Sequence, residues 1–310
     1  MNIANQHVID IQPTSTPSNV GKLGKRKNRD WREAFFRALF LTAAILGVLS
    51  LATIGYFIFR EGIPAIQQAG LVNMVTGVEW LPPALYGIAP MIVASLVSTA
   101  GAVILGVPVA VLTAIFIAEV APKWLANIIR PAVELLAGIP SVVYGFFGLV
   151  IIVPLIQDVF NVPAGNTVLA GIVVLAVMIL PTVIAVSETS LRAVPKTYKE
   201  GSLALGASPM FTTFKLLIPA ARSGIMTGVI LGIARALGET MAIIMVMGNA
   251  PAMPEGILES ARTLTANIAL EMSYASGIHA SALYATGIVL LVFIMMLNAT
   301  LLFLNREKAR

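Results

Sequence analysis

Apolar residues in this chain fall into long runs, not into the period-2 or period-3.6 patterns of half-buried elements. Six runs, near residues 38–59, 86–118, 135–156, 168–186, 225–247 and 280–304, match the need for about 20 apolar residues per bilayer-crossing helix. The second run is longer than a bilayer requires, so that helix is expected to tilt or extend beyond it. Pro140 and Pro181 lie inside runs, where a kink is tolerated if neighbouring helices satisfy the freed carbonyls. The pattern predicts an all-α, polytopic membrane protein with six transmembrane helices.

Composition agrees. Hydrophobic residues make up 58% of the 310 residues, only 11% are charged, and the mean hydropathy is +0.90. A chain so poor in charge cannot cover a water-facing surface, so lipid is its solvent. The net charge of +5 does not signal nucleic-acid binding, because Lys22, Lys25, Arg26, Lys27, Arg29 and Arg32 crowd before the first run. That position suits an anionic membrane face. With no cysteine, disulfides and thiolate chemistry are excluded. Residues 1–30 read as a disordered basic cytoplasmic tail and 31–310 as the transmembrane domain. The first run is too long for a signal-peptide core, and no small-x-small cleavage site follows it. Lys and Arg alternate between connections: sparse in 61–85, 157–167 and 248–279, abundant in 188–222 and at both ends. Both termini are therefore expected in the cytoplasm.

The connection 188–222 is polar, amphipathic and too long for a simple turn. Residues 198–205 can form a short helix with Leu203 and Ala204 on its apolar side, and Gly206 suits a C′ position requiring positive φ. Ser208 and Pro209 fit the N-cap and first position of a second short helix, and Pro219 is expected just after it. Glu200-Gly201-Ser202, Gly206 and Leu216-Leu217-Ile218-Pro219 resemble the coupling motif of permeases in binding-protein-dependent ABC importers. Gly201 and Ser202 depart from the two alanines of that motif. The resemblance implies that Glu200, Gly201, Ser202, Ala204, Gly206 and Pro219 belong to a coupling element that docks on an ATPase. No segment matches the phosphate-binding loop of ATPases, so this chain is expected to bind no cofactor. ATP and magnesium would be used by the partner.

Two further stretches resemble the phosphate-specific permeases of that family. They are 136–148, with Gly138-Ile139-Pro140-Ser141 and Tyr144, and 234–242, with Arg235, Glu239 and Thr240. The segment from Trp80-Leu81-Pro82-Pro83 to Pro90 is closer to the PstC type than to its PstA paralogue. The resemblance implies a bacterial inner-membrane permease for inorganic phosphate. It implies as partners a PstA-like second permease, a PstB-like ATPase dimer and a PstS-like periplasmic binding protein. The rivals within the class are a PstA-type subunit and a permease for sulfate, molybdate or phosphonate.

Arg235 lies about 18 Å along helix five at 1.5 Å per residue, near the expected midplane, where an isolated charge is costly. Read on one helix, Arg235 and Glu239 share a face at i,i+4. Either the pair fixes packing, or Arg235 meets the phosphate dianion with Glu239 orienting it. Thr240 offers a hydroxyl, although such hydroxyls often bond their own backbone. Ser141 and the freed amides around Pro140 either line the path or mark a packing kink. Arg130 is expected to pair with Glu134, and Glu188 with Arg192. Segments 61–85 and 248–279 are surfaces open to a binding protein, with Trp80 as a candidate anchor. His279 and His7 have no metal-ligand company, so no metal site is expected. Lipid is an expected partner and nucleic acid is not. An enzyme lacks a nucleophile–base set here, and a secondary transporter or channel lacks a visible repeat.

Overall fold

The computed structural model describes residues 30–307, so the basic tail, Asp30 apart, and the last three residues lie outside it. The chain divides into two compact units, up to Ile54 and from Gly55 onward. Helix α1 (Asp30–Ala69) is followed by α2 (Leu71–Thr76) and a two-stranded hairpin, β1 (Trp80–Leu81) and β2 (Leu85–Tyr86). Trp80 opposes Tyr86 in this hairpin, and the Pro82–Pro83 bond in its turn is cis.

Helix α3 (Ala89–Ile115) ends in a π-helical turn, Phe116–Val120, before α4 (Lys123–Gly138). Next come α5 (Ser141–Phe147), a π-turn at Gly148–Ile152 and α6 (Val153–Phe160), then α7 (Val168–Arg192). Two short helices follow, α8 (Lys196–Ala204) and α9 (Pro209–Thr212). A third π-turn, Thr213–Leu217, leads into α10 (Ile218–Gly238). The chain closes with α11 (Met241–Val246), α12 (Leu264–Glu271) and α13 (Ile278–Glu307).

Among the described residues, six helical stretches are long and apolar enough to cross a membrane. In the central span, Val168–Arg192, 67% of the most apolar window is buried, whereas no other span exceeds 33%. Helix α7 is thus the axis on which α3 and α10 pack. Small residues allow the close approach that membrane helices use in place of a hydrophobic driving force. A β-carbon at Gly106 of α3 would lie 2.9 Å from the Ala176 carbonyl oxygen, and one at Gly232 of α10 would lie 2.8 Å from Val183 Cγ2. Around these notches Ala102, Ile172, Leu175, Ile179 and Ala236 form the buried core.

Candidate anion pathway and coupling loop

Both helices carrying the candidate pathway residues are broken there. Helix α4 ends at Gly138, Ile139 is extended (φ −68°, ψ 127°), and α5 starts at Ser141 after Pro140. Pro140 offers no N–H and disfavours helical backbone at the residue before it. Buried Tyr144 reaches back over the break, its hydroxyl donating to the Leu136 carbonyl at 2.8 Å. Helix α10 likewise ends at Gly238; Glu239 is extended (φ −69°, ψ 133°) and Thr240 precedes α11.

The two short helices beyond the breaks pack on each other. A β-carbon at Gly145 would lie 2.7 Å from Ala242 Cα. The second break is held from outside by α12: the Thr265 hydroxyl donates to the Glu239 carbonyl at 2.8 Å. Leu264 N–H donates to Ser95 Oγ of α3 at 3.0 Å.

This geometry corrects the expected Arg235–Glu239 pair. Because the helix stops at Gly238, the two residues do not share a face. The Glu239 carboxylate instead caps α11, accepting from Ala242 N–H at 3.1 Å. Arg235, half-buried in the last turn of α10, has no carboxylate within ion-pairing distance among the described residues. Its Nε is buried without a hydrogen-bond partner, while Tyr144 lies within electrostatic reach. A buried unpaired donor costs about 1–3 kcal/mol, more when charged, and none of the described carboxylates offsets that cost at Arg235. Thr240 bonds its own backbone, donating to the Gly238 carbonyl at 3.2 Å. Ser141 sits at the first position of α5, beside the other break.

The segment expected to serve in coupling follows its sequence closely. Gly206 adopts φ +85° after α8, and Ser208 caps α9 by accepting from Phe211 N–H at 3.2 Å, with Pro209 at the helix start. Ser202, where the motif expects alanine, lies 2.9 Å from the buried Thr212 hydroxyl and staples α8 to α9. Glu200, Gly201 and Ala204 are exposed, as are the apolar Tyr198, Leu205, Met210, Phe211 and Phe214. Pro219 does not follow the second helix. It lies in the first turn of α10, and the stretch Pro209–Gly238 is continuous. The π-turn ahead of it accommodates a residue that can donate no hydrogen bond backwards.

Charged groups elsewhere redistribute in two places. Arg130 reaches Glu188 of α7, not Glu134, with Nε at 3.0 Å and Nη2 at 2.7 Å from one oxygen. Glu188 also takes Arg192 Nε at 2.8 Å. Its carboxylate is buried while Glu134 is exposed, and a buried carboxylate has the greater need of partners. At the hairpin, Glu271 accepts from Trp80 Nε1 at 2.9 Å and Arg262 Nη1 at 2.5 Å, with His279 Nε2 at 2.8 Å. Trp80 is therefore buried, not a surface anchor. Tyr86 stacks edge-on against it, and burial holds the Tyr86 hydroxyl above the usual phenol range. Arg262 lies nine residues before Glu271 and His279 eight after it, each on a different segment, so no single helix or strand joins the three.

Residues 106–309 match the family described as binding-protein-dependent transport system inner membrane component. A probable ABC transporter permease, YqgH of Bacillus subtilis, is 36% identical, the match covering 92% of this chain and 95% of that one. The phosphate transport system permease PstC of Xylella fastidiosa (strain 9a5c) is 33% identical over 95% of this chain and 98% of its own. A bacterial alginate ABC transporter crystallised with its alginate-bound periplasmic protein aligns with a TM-score of 0.64 at 15% identity, over 90% and 96% of the two chains. The MetNI methionine transporter, in an inward-facing form, aligns at 0.54 and 21%, over 72% and 95%. These two structures share the fold.

Proposed function

This chain belongs to the family of binding-protein-dependent transport system inner membrane components, and from that premise we propose that it is the PstC-type permease of an ATP-driven importer of inorganic phosphate. In this reading it pairs with a PstA-like permease and a PstB-like ATPase dimer that binds ATP and magnesium. A PstS-like periplasmic protein delivers phosphate. Both termini and the coupling segment 188–222 face the cytoplasm, in keeping with the distribution of Lys and Arg.

The observation that carries the substrate assignment is Arg235, a half-buried guanidinium with an unpartnered Nε beside two helix breaks. Its planar fork suits two phosphate oxygens. With Glu239 engaged in capping α11, no carboxylate among the described residues competes for it. Ser141 supplies a hydroxyl on the facing break, where Tyr144 holds the Leu136 carbonyl, and Thr240 stands next to the cap. The docking loop joins this site without interruption, because α9, its π-turn and α10 form one helix ending at Gly238. Closure of the ATPase on α8 and α9 thereby turns the helix that carries Arg235.

Reconstitution with the partner subunits and phosphate-loaded binding protein tests the reading. ATP-dependent uptake of labelled phosphate, with sulfate excluded, is the expected result; uptake without the ATPase, or preference for sulfate, overturns it. Arg235→Gln should abolish uptake while the complex still assembles. Arg235→Lys should leave only a small residue of it, since a point charge does not replace the fork.

A further inference from the structure

Helix α8 contains no buried residue, so apolar burial does not fix its angle and polar links carry more of that task. One link is the Ser202–Thr212 staple within the loop. The other leaves the loop for a different membrane helix. Lys199 Nζ stands 2.6 Å from Glu119 Oε2, a carboxylate only 10% exposed. Glu119 belongs to the π-turn that ends α3. The wider i→i+5 bonding of such a turn shifts side chains from their α-helical directions. Here the turn gives α8 a carboxylate and also gives α7 an acceptor, since the Ile117 carbonyl takes Arg192 Nη2 at 3.3 Å. A cavity of about 330 Å³, lined by Glu119, Arg192, Pro195, Lys196, Lys199 and Glu200, adjoins the pair. Helix α8 therefore has open space beside its contact with α3.

We propose that the Glu119–Lys199 pair is a transmission link, passing displacement of the docking loop to α3 by a route separate from α10. The inference rests on the importer reading given above. Helix α10 needs no such device, because it is the covalent continuation of α9. Helix α3 joins the loop in sequence only through α4 to α7, and a short charge-assisted hydrogen bond resists extension better than a neutral one. Glu119 and Lys199 touch no substrate; they are positioning residues. Without the link, the ATPase still docks and hydrolyses ATP, but α3 follows the stroke poorly.

The test uses the complete importer in proteoliposomes and reads phosphate moved per ATP hydrolysed. Lys199→Gln and Glu119→Gln should each keep the ATPase bound and hydrolysing while the ratio falls about fivefold, the scale of a 1 kcal/mol charge pair. Lys199→Arg should keep the ratio. The exchange Lys199→Glu with Glu119→Lys should recover most of it. Wild-type uptake with unchanged ratios in both single variants overturns the link alone, and so does an exchange variant that assembles yet stays as poor as the singles. Where a single variant fails to assemble, recovery of assembly and ratio in the exchange variant supports the link, and failure to recover overturns it. A wild-type complex that moves no phosphate overturns the importer reading itself, and the link with it.

Discussion

Glu271 shows what a single buried charge can organise. Its carboxylate joins the hairpin through Trp80, the segment before α12 through Arg262, and the start of α13 through His279. Glu271→Ala would leave Arg262 buried without its counter-charge, a loss of about 3 kcal/mol. The expected outcome is a lower thermal-unfolding midpoint in detergent, with Glu271→Gln intermediate; an unchanged midpoint in both variants contradicts it. This cluster was not legible beforehand, because its partners lie up to 191 residues apart. Arg235 was legible, since a lone cation in an apolar run demands an account. Its expected partner was wrong because of one backbone angle: ψ of 133° at Glu239 turns an i,i+4 pair into a helix cap.

At the level of elements, the helix breaks are joined by the contact of α5 with α11. Gly145 leaves no room there: an added methyl would meet Ala242 backbone at 2.7 Å and Met245 Sδ at 2.9 Å. Gly145→Ala should therefore cost about 1–3 kcal/mol. It should also slow phosphate uptake more than it weakens ATPase binding, as paired uptake and co-purification assays would show. In the coupling loop, Ser202→Ala restores the residue common in the motif but strands a buried Thr212 hydroxyl. A net loss of about 1 kcal/mol is expected, read as weaker retention of the ATPase during purification. The loop's turn was legible from Gly206 and Ser208-Pro209, whose chemistry is local. The continuity of α9 with α10 was not, because a π-turn carries no residue signature here and Pro219 reads equally well as a stop.

For the molecule as a whole, the number of spanning helices followed from the apolar runs alone, since each must be long enough to cross. Which helix lies at the centre did not follow, because lipid-facing and protein-facing surfaces are both apolar. The glycine notches settle it: α7 is gripped by Gly106 of α3 and Gly232 of α10. Gly106→Leu should separate α3 from α7 and abolish folded, monodisperse protein in size-exclusion chromatography; a well-folded variant would contradict this packing.

The three π-turns set a rule for which codons the gene can lose. Each turn holds one residue more than the α-helical turn it replaces. Removing one residue from Gly148–Ile152 would let that stretch relax to α-helix with both flanks in register. Removing one from α7 would instead rotate everything beyond it by about 100°. A scan of single-codon deletions through the spans, scored by folded protein, should find its tolerant positions at 116–120, 148–152 and 213–217. At the first of these, folding would survive while Glu119 lost its aim at Lys199, so those variants should assemble yet consume ATP with little phosphate moved.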